Sequence, residues 1–514
     1  MFNGSDTIAT FSIVLVALGI LIWGYNRARS YGKLGILAWL QSVVLMAPWL
    51  LFFGLFAAGI YLNLVGILFL LVASAGGYIY LGRRLRQEGQ DAILRERASQ
   101  RLKELEAENN AEGEVRESSE PTDNTENAYH NVGAAIAPEV LPIPDDDLKT
   151  IKGIFGIDTF FATETISYQE GAIFRGNLRN DPDRVHSRLS ASLKERLGEK
   201  YRLFLVESPE GKPVVIILPS TDDPQPATIA QKVLAVVLFV ATIATSLEAA
   251  GILLGFDFFT DISRFQEVLP LSLGLWTILA AHEIAHQVIA KKYDLRFSFP
   301  FFIPSWQIGA FGGINRFESL IPSRTALFDV AFAGPAIGGI ISLLMLITGL
   351  ILSHPGSLFK LPTEFFQGSV LVGSLAKVVL GSALQEPIVD IHPLTIIGWL
   401  GLVITALNLL PAGQLDGGRI VLAIYGRKTA RRTTIATLVL IGIVAIFNPS
   451  NPIPLYWGIL ILFLQRNLER PSLNELSEPD DARAALGLLA LFLTLATLIP
   501  LTPSVAGSLG IGGG

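Results

Sequence analysis

Runs of about twenty apolar residues recur along this chain, each long enough to cross the ~30 Å hydrocarbon core of a bilayer as a helix. Lipid offers no water to backbone N–H and C=O groups, so such runs must satisfy them internally, as helices. Three open the chain, at about Ile8–Gly24, Leu34–Tyr61 and Leu62–Leu81. A second block starts near Ile229, with candidate spans Ile229–Leu253, Pro270–Ala290, Ala326–Leu352, Leu394–Leu410, Ile435–Phe447, Pro454–Phe463 and Ala484–Leu501. Ser369–Ala383 is apolar but short, an extra span or a re-entrant segment. Only 16% of the residues are charged, against about a quarter in soluble proteins. The expected fold is a polytopic α-helical membrane protein of about 10 spans with a small α+β soluble domain.

Between the two blocks the chemistry changes. From Arg83 to about Glu108 the chain is charged and punctuated by Leu and Ala, the pattern of an exposed helix. Asn109–Asn127 is acidic and nearly devoid of apolar residues, the composition of a disordered linker. From about Pro142 to Pro226 a soluble domain is expected. It holds a strand-like Thr159–Ser167, a helical Pro182–Leu197, and strands Tyr201–Glu207 and Pro213–Leu218 joined by a Ser-Pro-Glu-Gly hairpin turn. The expected division is a transmembrane block 1–82, a charged helix and linker 83–141, a soluble domain 142–227, a membrane core 228–466, and a loop, last span and tail 467–514.

Arg27, Arg29 and Lys33, then Arg83, Arg84 and Arg86, border the first spans, and such cations mark the cytosolic side. The soluble domain is then cytosolic, and alternation of spans brings Lys291-Lys292 and Arg427, Lys428, Arg431 and Arg432 to the same side. The net charge of −6 is modest, so no nucleic-acid partner is implied. There are no cysteines, which excludes disulfides and thiolate metal sites. The N-terminus lacks the basic region and cleavage site of a secretory signal, so Met1 is expected to begin the mature chain.

Inside the second core span lies His282-Glu283-Ile284-Ala285-His286, an HExxH sequence. At 3.6 residues per turn the two histidines share one helix face, and both imidazoles can reach one metal with Glu283 beside it. Ionisable groups in a bilayer are costly unless paired or metal-bound. Without cysteine, a zinc hydrolase must draw a third ligand from His, Asp or Glu and keep one position open for water. Asp416 is the best candidate. It follows Leu394–Leu410 in the run Asn408-Leu-Leu-Pro411-Ala-Gly-Gln-Leu-Asp416-Gly417-Gly418, where Pro411 breaks the helix and the glycines let backbone approach closely.

HExxH in one membrane helix followed by NxxPxxxxDG in another resembles the site-2 protease family of intramembrane zinc metalloproteases, matched by His282, Glu283, His286, Asn408, Pro411, Asp416 and Gly417. The resemblance implies one zinc held by His282, His286 and Asp416, Glu283 as general base and then acid, and Asn408 on the substrate backbone or the oxyanion. Ala333-Gly334-Pro335 resembles the family's small-residue motif, although Gly338 and Gly339 stand where an Asn is common. Gly176-Asn177-Leu178-Arg179 resembles an element of the EGY-type (ethylene-dependent gravitropism-deficient and yellow-green) subgroup of chloroplasts and cyanobacteria, its role open between a structural turn and docking. The lack of a transit peptide suggests a cyanobacterium-like source and a plasma or thylakoid membrane. The implied partners are membrane-spanning protein substrates, such as tethered transcription factors or anti-sigma factors, cut in regulated intramembrane proteolysis; no signal bears on homo-oligomers.

A helix hides its peptide bonds, so a substrate must unwind to be cut. Phe297–Ile303 and Gly309–Phe317 alternate or bracket Gly and Pro, which suggests a re-entrant β-hairpin pairing with an extended substrate through Gly309, Gly312 and Gly313. Two rivals are a proteolytically inactive scaffold, disfavoured by the intact Glu283, and a metal transporter, disfavoured because the ligands converge on one site. His130, His186, His354 and His392 are read as ordinary surface residues, with Glu386 and Asp390 in loop context and Glu248 near an outer helix end.

Overall fold

The computed structural model describes residues 143–511 except 169, 209, 449–450 and 466, and nearer the N-terminus 24–29, 32–57 and parts of 73–85. The expected spans Ile8–Gly24 and Leu62–Leu81, the charged helix after Arg83, the acidic linker and His130 lie almost wholly outside the described residues. The described residues fall into two compact units: one holds helix α1 (Gly32–Ala57) and residues 441–459, the other residues 143–440 and 460–511.

The mixed α and β part of the second unit comprises α2 (Asp145–Lys152), β1 (Phe160–Tyr168), β2 (Gly171–Leu178), α3 (Pro182–Leu197), β3 (Tyr201–Glu207) and β4 (Pro213–Pro219). The strands form an antiparallel sheet in the order β1-β2-β4-β3. Asp181 caps α3 by accepting from the Asp183 and Arg184 N–H groups, and Pro182 begins the helix. The helix buries Val185, Leu189 and Leu193 at 3.6-residue spacing against Phe160, Phe174, Leu205, Val215 and Ile217 of the sheet. Of the two readings left open for Gly176–Arg179, strand β2 removes the turn. Gly176 to Leu178 continue the ladder with β1, and a Cβ on Gly176 would lie 2.2 Å from the Phe161 carbonyl oxygen.

A largely helical part follows: α4 (Ile229–Leu253), α5 (Phe265–Lys292), β5 (Phe301–Ser305), β6 (Gly309–Ile314), α6 (Arg324–Leu352), β7 (Phe359–Pro362), α7 (Val370–Leu380), β8 (Ile388–Ile391), α8 (Pro393–Asn408), α9 (Asp416–Phe447), α10 (Ile453–Leu460), α11 (Asp481–Leu498) and α12 (Pro503–Leu509). Five helices among the described residues are long and apolar enough to cross a membrane: α4, α5 with the short turn before it, α6, α9 and α11. Val233, Val236, Val237 and Val240 of α4 and Leu488, Phe492 and Leu495 of α11 are exposed, a surface suited to lipid.

The expectation of about 10 spans is met only in part. α8 has 16 residues, about 24 Å at 1.5 Å per residue, short of a bilayer crossing. The expected span Ile435–Phe447 is the second half of α9, which Gly426 breaks with φ of 76°. Arg324, buried at the start of α6, donates to the Ala423 and Ile424 carbonyls just before that break and so satisfies a helix end inside the protein. Close approach of α6 and α8 needs glycine: a Cβ on Gly398 would lie 2.3 Å from the Leu346 nitrogen. Glu248 is buried, not at an exposed helix end. It accepts from the Phe258 N–H at 3.0 Å, because the loop after α4 needs an acceptor where water does not reach. His392 accepts from the Leu394 N–H as the cap of α8, and Asp390 accepts from the Gly356 N–H, so neither is idle surface.

The expected loop after the core is an ordered strap. Leu205 of β3 donates to the Leu473 carbonyl and accepts from Glu475, while Leu473 and Asn474 donate to the Ile321 and Pro322 carbonyls ahead of α6. Asn474, 2% exposed, also donates to Asp183 at 2.6 Å and to Ser477, and its side-chain oxygen accepts from the Leu476 and Ser477 N–H groups. Replacing Asn474 with Ala strands these partners. The expected loss is about 1–3 kcal/mol of stability, read as faster amide exchange in β3 and residues 321–323 of the full-length protein in detergent, with exchange in α5 unchanged.

Candidate active site

The α-helical pitch of α5 sets His282 and His286 on one face, with ring centroids 4.8 Å apart, and buries both along with Glu283. His286 donates from Nδ1 to the Val330 carbonyl of α6 at 2.7 Å. That bond fixes the tautomer and leaves the Nε2 lone pair facing His282 Nε2 at 3.1 Å. Asp416 Oδ2 completes a triangle, 3.4 Å from each Nε2. Zinc–ligand bonds of ~2.0–2.1 Å at tetrahedral angles put ligand atoms about 3.3 Å apart, so these three donors fit one zinc ion. Among the described residues no other group of three or more His, Asp or Glu is so arranged.

Asp416 reaches this triangle because the chain stops being helical after Asn408. Pro411 and Gly413 (φ 52°) turn the chain, and its backbone is satisfied within the protein: Gly413 donates to Thr434, Gln414 to the Gln465 carbonyl, and the Pro411 carbonyl accepts from Thr437. α9 then starts at Asp416. A Cβ on Gly417 would lie 1.9 Å from the Leu409 carbonyl oxygen, so the turn closes only with glycine there. Gly334, on α6, is the matching gap on the other side of the centre, with an added Cβ 2.2 Å from His286 Nε2.

The hairpin suggested by the Gly and Pro pattern is present. β5 and β6 pair antiparallel, with Phe301 opposite Ile314 and Ser305 opposite Gly309, and the pairing extends through Ser298 and Arg316 to Arg296 and Glu318. The Thr245 hydroxyl on α4 anchors it at the Gly309 carbonyl. The three glycines have packing reasons as well as an edge position. A Cβ on Gly309 would meet Leu275, one on Gly312 would lie 2.5 Å from Asn408 Nδ2, and one on Gly313 would lie 2.6 Å from Glu283 Oε1. Asn408 uses its amide to donate to the Phe311 carbonyl of β6 and to its own Ile404 carbonyl, tying α8 to the hairpin.

Sequence reasoning missed three groups around this centre. Asn315, just past β6, donates to Glu283 Oε2 at 2.6 Å. Arg419, one turn after Asp416, donates to the Asn315 carbonyl at 2.7 Å, pairs with buried Glu469 at 2.9 Å and lies over the Phe317 ring. The Asp416/Arg419 spacing of three was the available signal, since it places a cation one turn from a metal-ligand candidate; Glu469 lies too far along the chain for any spacing argument. Substituting Gly334 with Val forces side-chain atoms onto both imidazoles. Zinc per purified chain should fall from one to near zero by elemental analysis, with affinity weakened by at least about 100-fold, while helical content is retained.

The model of peptidase family M50 matches residues 270–448, which hold the triangle, and that of the EGY3 middle domain matches residues 149–226. Among curated relatives, the chloroplastic probable zinc metalloprotease EGY2 of Arabidopsis thaliana is 35% identical over 70% of this chain and 66% of its own length. EGY2 of Oryza sativa subsp. indica is 35% identical over 76% of this chain and 74% of its own length, and EGY1 of Arabidopsis thaliana 35% over 71% and 73%. These relatives are described as chloroplastic and lend no support to a cyanobacterium-like source. No solved structure matches. The chain belongs to the M50 family of membrane-embedded, site-2-type zinc metalloproteases, within its EGY group.

Proposed function

We propose that this protein hydrolyses peptide bonds of membrane-spanning protein substrates at the centre formed by His282, His286, Asp416 and Glu283. The observation that carries the reading is the triangle of donor atoms 3.1–3.4 Å apart, with a carboxylate on the residue next to His282, brought together by two helices apolar enough for a bilayer. Zinc held by His282, His286 and Asp416 supplies Lewis-acid activation of water and of the substrate carbonyl.

The chain's own residues do the rest. The Glu283 carboxylate takes a proton from the attacking water and returns it to the amide nitrogen as the C–N bond breaks, leaving a carboxylate and an amine. Asn408, at the end of α8, exchanges its bond to the Phe311 carbonyl for one to the oxyanion or the substrate backbone. The substrate enters as an extended strand along the hairpin, near Gly309, Gly312 and Gly313, where its peptide bonds are exposed. Lys291 and Lys292 close α5 a little over one turn beyond His286, which supports a site near the cytosolic face with the soluble domain on the same side. The division into blocks 1–82, 83–141, 142–227, 228–466 and 467–514 belongs to this proposal.

The test is cleavage of a single-span reporter in proteoliposomes by wild type and by Glu283→Gln, with zinc measured in both. We expect at least a ~10²-fold slower reaction in the variant, the scale of a lost general base, at unchanged zinc content. Equal product from the two proteins overturns the assignment. Removing zinc with a chelator should abolish cleavage by wild type, and adding zinc back should restore it.

A further inference from the structure

The general base is gripped by the hairpin. Glu283 has two carboxylate oxygens, and β6 or its continuation lies against both. Oε1 faces Gly313, where a Cβ would come within 2.6 Å, and Oε2 accepts from Asn315 at 2.6 Å. A carboxylate only accepts, so the Asn315 nitrogen must face it and the amide oxygen must turn away. That oxygen has no hydrogen-bond partner among the described residues, so the amide's contact with the carboxylate is its donation to Oε2. Asn315 is itself held: Arg419 donates to its backbone carbonyl while paired with Glu469, and all three residues are buried.

We infer that Asn315 is a positioning residue for peptide hydrolysis. By donating to Oε2 it fixes the rotation of the Glu283 carboxylate and leaves Oε1 to exchange the proton with water and the leaving amine. Because Asn315 directly follows β6, the segment that aligns the substrate strand also sets the base. A Glu side chain free to rotate about three torsions meets the reacting geometry only part of the time, and alignment of a reacting group is worth orders of magnitude in rate. The inference rests on Glu283 acting as the base.

The experiment uses full-length protein in proteoliposomes, with kcat, KM and zinc content measured for wild type, Asn315→Ala, Asn315→Asp and Glu283→Gln. Asn315→Ala removes the donor; Asn315→Asp keeps the shape and replaces the amide donor with a carboxyl that donates only while it holds a shared proton. The expected result is a kcat lower by about 10–100-fold in both Asn315 variants, KM within about twofold of wild type, and one zinc per chain. Wild-type kcat in Asn315→Ala overturns the inference. So does a raised KM at unchanged kcat, which marks a substrate contact, or lost zinc, which marks a structural prop. If Glu283→Gln cleaves at the wild-type rate, the base assignment itself has failed; if that variant is dead while both Asn315 variants are normal, only the positioning role has.

Discussion

Two imidazole nitrogens 3.1 Å apart and a carboxylate oxygen 3.4 Å from both form an arrangement that a protein interior resists unless a cation shares it. The surrounding fold is arranged about that triangle. α5 supplies two of the three donors by helical pitch alone. The third comes from Asp416, 130 residues along the chain from His286, and needs a helix that ends at Asn408, a turn through Pro411 and Gly413, and a new helix start. α6 must pass close by, which only a glycine at 334 permits. The orientation of His286 in turn depends on the Val330 carbonyl of that same helix, so packing of α6 and preparation of the ligand are one event.

The hairpin solves a different problem, that of exposing irregular backbone inside an apolar bundle. Its outward groups are tied by Thr245, Asn408 and Arg419, and its glycines let Glu283 and Asn408 lie directly against the strand. In the function proposed above, a strand beside a buried carboxylate would give a substrate both a partner for its backbone and a base at a fixed distance from it.

Much of this was legible in the residues. HExxH gives its own geometry once it is helical, the Pro and Gly around Asp416 mark the break, and the Gly and Pro pattern after Lys292 gives the hairpin. α3 and β3 lie at their expected bounds because capping and alternation are local signals. What failed was non-local. β2 was missed because its glycines, Gly171 and Gly176, look like turn residues until β1 and β4 are seen to flank the strand. Short apolar runs such as Leu394–Leu410 do not reveal whether they cross a bilayer or support a neighbour. Asn315, Arg419 and Glu469 carry no motif, since their roles arise from three segments meeting, and the strap at Leu473–Glu475 is likewise invisible until its partners are placed.

That strap has a consequence for how the chain is made. β3 is complete by Glu207, but its outer edge is closed by Leu473 and Glu475, more than 260 residues later in synthesis. Until the apolar helices between them have been made, the nascent sheet carries an open edge, the feature most prone to pairing with a wrong chain. Maturation of the sheet is thereby made to wait for those helices, and a chain truncated before Leu473 leaves the surface uncovered for good.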